Sequence, residues 1–318
     1  MTSVRDQEGP RAGASRPVSA VYLATHKYDM RLTRICVASI RYWYPDLPIY
    51  LIKDRVAGDF STEEIERAWN VKIFETEATK FGWGFAKLEP PLVLGGERIL
   101  VMDVDIAFVG RVIDVLAERS EDIIVQREDQ PADPSGRFEE LYFSLPGLLS
   151  YDPDFRFPRF SFNTGQFVIT MGLLRREDFD GLIDWGNPRS VIRPEIFNKS
   201  DQGVLNYIVM KKHAAGSLSV ARIDFMVWNP AEMARFDISR IRHDSPYQKL
   251  IHWAGLRREN MADMPRSDIL RKFEEVYYSK VPAGRARMRA RLYAERVANL
   301  KSKIVARLTR KHPRLYLT

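Results

Sequence analysis

Short apolar runs alternate with amphipathic stretches along most of the chain. Val18 to Ala24 predicts a first strand. After it, Leu32, Ile35, Cys36, Ser39, Ile40 and Trp43 recur at helical spacing up to Tyr44, and Pro45 stops that helix. Pro48 to Ile52 predicts a second strand. Ser61-Thr62-Glu63-Glu64 reads as a capping box that opens a helix to about Trp69, and Val71 to Phe74 predicts a third strand. A helical segment near Ala86 to Leu94 ends at Gly95-Gly96, and Ile99 to Met102 follows as a strand. Further strands are predicted at Ile123–Gln126, Phe167–Thr170 and Val220–Ile223, with a helix from Asp201 to about Lys211. Between them, Pro131 to Pro158 is long for a structureless loop and predicts a substrate-covering segment or further short elements. Strand-helix alternation with short connections predicts an α/β fold, with a mainly parallel sheet and helices on both faces.

One strand changes the picture. Arg98-Ile99-Leu100-Val101-Met102 runs into Asp103-Val104-Asp105. A strand apolar on both sides is covered on both faces. Two carboxylates at its end would repel each other and lose solvation, which makes sense when a cation sits between them. Hard divalent ions take oxygen ligands and bring phosphates with them. Ligands of open α/β sheets sit beyond the carboxyl ends of strands, where this pair falls.

Composition fits an intracellular enzyme: 45% hydrophobic and 29% charged residues, both near globular averages. A lone cysteine, Cys36, excludes an internal disulfide framework and reads as a small core residue. No apolar run reaches the ~20 residues that span a bilayer. Residues 1–17 are polar without an apolar core of a signal peptide, and predict a disordered lead-in to a cytoplasmic protein. The net charge of +7 is uneven: from Val281 to Thr318 the balance is +10, leaving −3 for the rest. In that tail Tyr293, Val297, Leu300, Ile304 and Leu308 make one helical stripe flanked by Arg296, Lys301, Lys303 and Arg307. Such a helix suits an anionic membrane surface, or docking on the body or on another subunit.

The acidic pair stands in an ordered series: Phe85-Ala86-Lys87-Leu88, Arg98 to Asp105, Phe162-Asn163-Thr164-Gly165, Asp201-Gln202-Gly203-Val204-Leu205-Asn206, and His252-Trp253-Ala254-Gly255. This series resembles the GT-A glycosyltransferases, specifically the retaining enzymes of glycosyltransferase family 8, from about Val18 to Arg258. The resemblance implies a GT-A catalytic domain over residues 18–262, followed by a basic helical region over 263–318. It implies that Asp103, Asp105 and His252 bind Mn²⁺ (or Mg²⁺), which holds the diphosphate of a nucleotide sugar, a UDP-sugar. It assigns that donor to Ala24, Thr25, Tyr28, Lys87, Val104, Asn163, Gly255 and Arg258. Ala24 and Thr25 would read the base through their backbones, and Tyr28 would stack on it. Arg258 stands where the family keeps a lysine, so the charge is kept while a bidentate fork replaces a point charge. Glu259-Asn260 replaces the usual Pro-Trp.

Asp201 and Gln202 fall at the catalytic positions, beside the reacting sugar. An amide is a poor nucleophile, which favours front-face attack with retention. The implied acceptor is a saccharide or lipid-linked saccharide, as in cell-surface polysaccharide or lipopolysaccharide synthesis. The basic tail suggests a cytoplasmic protein that can lie at the inner face of the membrane, and no nucleic-acid partner is expected. Two alternatives stand beside this reading. A haloacid-dehalogenase-type phosphohydrolase also carries Asp-x-Asp after an apolar strand, but on its first strand and with a threonine where this chain has Ala107. A non-enzymatic protein binding anionic surfaces would explain the tail and leave the acidic and amide residues unexplained.

Overall fold

The computed structural model describes residues 15–82, 84–256 and 260–310; beyond Glu295, side chains are described only at Val297 and Lys301. The predicted lead-in therefore lies outside the described residues up to residue 14. Its described end is held by the body, with the Arg16 amide donating to the Ala117 carbonyl at 3.1 Å.

The strands that position the site are β1 (Ala20–His26), β2 (Ile49–Asp54), β3 (Lys72–Ile73), β4 (Arg98–Asp103), β5 (Ile106–Phe108), β6 (Ile123–Gln126), β7 (Gln166–Thr170), β8 (Val220–Ile223), β9 (Met226–Val227) and β10 (Leu250–His252). Seven of them form the main sheet in the order β8-β6-β7-β4-β1-β2-β3. It is parallel except at β7, which runs antiparallel to both β4 and β6. A smaller sheet in the order β9-β10-β5 stands at the carboxyl end of β4.

The apolar run of β4 serves two cores. Leu100 and Met102 enter one with helix α1 (Met30–Trp43), while Ile99 and Val101 enter the other with helix α3 (Asp201–Ala214). Alternating side chains buried on both faces leave no polar position between Arg98 and Asp103, as the sequence requires. Helix α4 (Ser267–Ser279) lies in the same core as α1, with Phe273 and Tyr277 fully buried. Helix α5 (Gly284–Arg310) follows. No helix among the described residues is long and apolar enough to cross a membrane.

Two local expectations are corrected. Helix α2 (Glu63–Trp69) starts after Thr62, whose hydroxyl donates to Glu66 at 2.6 Å, so the box at Ser61–Glu64 does not form. Glu64 is drawn away by Arg34 at 3.2 Å, the Tyr277 hydroxyl at 2.8 Å, and Arg287. The helical segment near Ala86–Leu94 splits into a 3-10 turn, Phe85–Leu88, and one short turn, Glu89–Leu92. Pro90 and Pro91 supply no amide hydrogens to continue the turn. The Pro131–Pro158 stretch folds into the short helices Arg137–Leu141 and Leu145–Tyr151 over an aromatic cluster of Phe138, Phe143, Phe155 and Phe157.

Candidate functional site

Asp103 ends β4, the chain turns through the buried Val104, and Asp105 precedes β5. β10 pairs antiparallel with β5 so that His252 stands opposite Ile106. The imidazole Nε2 thereby comes 3.2 Å from Asp105 Oδ1. Trp253 locks this register: its amide donates to the Asp105 carbonyl at 2.9 Å, and its buried indole to the Pro265 carbonyl at 2.7 Å. One ligand atom each from Asp103, Asp105 and His252 lies within 4.8 Å of the others. Asp105 and His252 are buried and Asp103 is partly open, so the cluster is reached from the Asp103 side.

Lys87 crosses this cluster from the 3-10 turn. Its Nζ lies 3.0 Å from Asp103 and 3.5 Å from Asp201, the first residue of α3. Gly84, with φ +88°, lets that turn approach α3: a Cβ there would sit 2.2 Å from Asp201 Oδ1. Gly165 is equally constrained, because a Cβ would lie 2.3 Å from His252 Cε1. Gly165 is required by close approach, and Gly84 both by close approach and by its left-handed backbone.

The charges are strongly coupled. Burial alone would raise the Asp105 carboxyl, but the neighbouring His252, helped by Lys87, holds it below the usual carboxylate range. Burial pushes the His252 imidazole down, and the Asp105 carboxylate more than offsets this, so it is raised. Lys87 is likewise raised against its own burial by Asp103 and Asp201. Burial leaves the Asp201 carboxyl raised, with Asp103 adding to the effect and Lys87 opposing it.

His252 Nδ1 is buried without a hydrogen-bond partner, while Asp105 Oδ1 has only His252 Nε2 at 3.2 Å beside it and Asp201 Oδ2 only the Lys87 ammonium at 3.5 Å. Buried polar atoms are normally satisfied, and each exception calls for a reason. Three carboxylates face one ammonium here, and a divalent cation would balance the excess. Two carboxylates with one imidazole suit Mn²⁺, since oxygen ligands fit hard ions and imidazole favours a more borderline one. The residues fit the implied metal.

The other expected residues fall around this centre. Ala24 stands in register with Asp103 across β1 and β4. Thr25 is buried, its hydroxyl paired with Thr33 at 2.7 Å and its backbone in register with Lys53 of β2. Tyr28 is 76% exposed and touches the His26 ring. Asn163 Oδ1 accepts from the Gly165 amide at 2.6 Å, fixing the turn that touches His252. Gln202 Oε1 accepts from the Thr164 amide at 3.2 Å, and its Nε2 donates to the Leu141 carbonyl at 2.9 Å. Gly255 takes φ +78° beyond His252, and Arg258 lies outside the described residues.

Three neighbours were missed by sequence reasoning. Glu128 forms an antiparallel bridge with Ser161, and its carboxyl, raised by burial, accepts from the Tyr142 hydroxyl. Trp228 follows β9 directly beside the His252 strand. Glu128 and Tyr142 sit in stretches without periodicity, and nothing local marks Trp228 as an exposed tryptophan.

Among solved structures, the bifunctional glycosyltransferase WbbM matches with a TM-score of 0.52 at 14% identity, over 86% of this chain and 51% of WbbM. The chain has a GT-A fold. This GT-A chain spans about half the length of WbbM. The galactosyltransferase LgtC, in complex with donor and acceptor sugar analogs, matches with a TM-score of 0.49 at 13% identity, over 83% of this chain and 97% of LgtC. No family model and no curated protein matches the sequence. On the shared fold, the candidate cluster lies where a parallel α/β sheet opens to a ligand.

Proposed function

We propose that this protein is a metal-dependent, retaining glycosyltransferase that moves a sugar from a UDP-sugar to a saccharide or lipid-linked saccharide. The observation that carries the reading is the Asp103–Asp105–His252 cluster, open only at Asp103 and joined through Lys87 to Asp201, at the carboxyl end of β4. Asp103, Asp105 and His252 would hold Mn²⁺, which when bound neutralises the donor diphosphate and stabilises it as a leaving group. Lys87 and Arg258 add positive charge to the same phosphates. Asp201 orients sugar hydroxyls from the first turn of α3. Gln202 is engaged at both ends of its amide, so it serves as a fixed dipole beside the anomeric carbon rather than as a nucleophile. That favours front-face attack by the acceptor. Tyr28 and the backbones of Ala24 and Thr25 receive the uracil, while Val104, Asn163 and Gly255 shape the donor pocket.

The phosphohydrolase alternative is weakened by the place of the acidic pair, on β4 rather than on a first strand. The tail belongs to the proposal. Arg287, Arg291 and Glu295 recur every fourth residue along α5 and meet Glu64, Glu274 and Arg31 of the body. Tyr293, off that face, is 71% exposed. The exposed Tyr293 and the basic sequence of this tail support attachment at an anionic membrane surface, on the cytoplasmic side. Flotation with phosphatidylglycerol vesicles, but not with phosphatidylcholine vesicles, is the expected result for the full chain; equal behaviour with both would remove the membrane part.

The decisive experiment is a UDP-sugar panel read by release of UDP. Release should require Mn²⁺, stop with a chelator, and fall about a thousandfold in Asp105→Asn. Release that ignores metal and chelator would overturn the function.

A further inference from the structure

We infer that Trp228 is the stacking platform for the acceptor sugar, so that the acceptor presents a pyranose ring with an apolar C–H face; this rests on the glycosyltransferase reading. Trp228 is 42% exposed, although tryptophan contributes more apolar area than other side chains. Its place is fixed on both sides. Before it, the Phe225 and Met226 amides donate to Gln126 Oε1 at 2.9 and 2.8 Å, and β9 pairs with β10 with Val227 opposite Ile251. After it, Asn229 Oδ1 accepts from the Ala231 amide at 2.9 Å, capping the short helix Pro230–Met233. A large ring left partly open on a held backbone, one residue past the Val227–Ile251 pair and so level with His252, is positioned for a ligand as well as for packing.

One face of the ring is covered by the helix Arg137–Leu141, which leaves the other face for a ligand. Arg137 lies over the Trp228 ring, with its guanidinium carbon 5.1 Å from the centroid. The far end of this helix reaches the candidate catalytic group, because the Leu141 carbonyl accepts from Gln202 Nε2 at 2.9 Å. Tyr142, next in the chain, donates to Glu128. The indole, the Arg137 guanidinium and the Glu128 carboxylate are thus linked through this one helix and Tyr142 to Gln202. A pyranose matches this set: its C–H face covers indole, and its hydroxyls take the donors and acceptors around the ring. A bare phosphate or an extended peptide would use the charges and leave the indole face unmatched.

Saturation-transfer difference NMR tests this on the full chain, with methyl β-D-galactopyranoside, methyl β-D-glucopyranoside and methyl α-D-mannopyranoside. Spectra are taken with and without UDP and Mn²⁺. At least one pyranoside should show saturation transfer to its ring C–H protons in the wild type, weakened about tenfold in Trp228→Ala and largely kept in Trp228→Phe. Calorimetric UDP binding with Mn²⁺ should stay within about twofold in both variants, which separates loss of the platform from misfolding. Equal pyranoside binding by wild type and Trp228→Ala, or none by the wild type in either condition, would overturn the inference. Absence of Mn²⁺-dependent UDP binding in the wild type would instead bring down the parent reading, and the nucleotide-free spectra then still decide for or against Trp228.

Discussion

The floor of the site and its rim are built on opposite principles. On the floor, Asp105, His252, Lys87 and Asp201 are buried, tied to each other, and placed by strand register and by glycines that permit contact. At the rim, Tyr28 and Trp228 stand open to solvent. Charge out of water is costly unless compensated, so the floor depends on every member for its stability as well as its chemistry. An exposed ring contributes little to folding, so the rim can change with small effect on the fold. On the proposed function, metal and phosphate chemistry would therefore belong to the part that cannot vary, and recognition of donor and acceptor to the part that can.

The sharpest break of this contrast is Lys87→Met. It leaves Asp103 and Asp201 facing each other without their ammonium and should cost about 3–5 kcal/mol of stability, read from denaturant midpoints. Added Mn²⁺ should recover part of that loss, because it binds only the folded cluster. A variant as stable as the wild type without metal would show that the floor is not held by charge. Gly165→Ala comes next. The new methyl must displace His252, so Mn²⁺ affinity should fall about 10–100-fold by calorimetry, with Asp103 and Asp105 intact. Unchanged affinity would mean that His252 is no ligand.

Tyr28→Ala probes the rim. Donor KM should rise about tenfold while the melting temperature stays put, since the ring is exposed and base stacking is a binding term. A large drop in melting temperature would erase the distinction between floor and rim. The smallest effect lies outside both, at Glu64 under the tail helix. Burial would raise its carboxyl, but Arg287, the Tyr277 hydroxyl and Arg34 hold it below the ordinary carboxylate value. Its contribution is therefore present above that ordinary value and is lost as pH falls through the lowered one. Glu64→Gln should lower stability by about 1 kcal/mol at neutral pH. The difference from wild type should fade in strong acid; a difference that persists there would assign the effect to packing instead.

Much of the floor was legible in the chain. The apolar run into Asp103-Val104-Asp105 could end only in a covered strand with a charged tip, and β4 is that strand. The strand Val220–Ile223 is found with the expected bounds because its turns and apolar residues are local signals. Where prediction slipped, distant groups had intervened. Ser61–Glu64 carries a sound capping pattern, yet Glu64 is taken by residues that follow it by more than two hundred positions. The antiparallel turn of β7 against β4 and β6 was equally hidden, because strand direction leaves no mark on side-chain alternation.

The sequence by itself determined most strands of the main sheet and the helices α1 and α3, where the acids stand at the end of β4, and how charge gathers in the tail. Periodicity and turn residues act over a few positions, and these features are of that range. Only the tertiary structure decided that His252 faces Asp105 through the β5–β10 register, that Lys87 reaches both Asp103 and Asp201, and that Trp228 stays uncovered. Those outcomes depend on strand pairing and burial between segments far apart in the chain, and no local pattern encodes them.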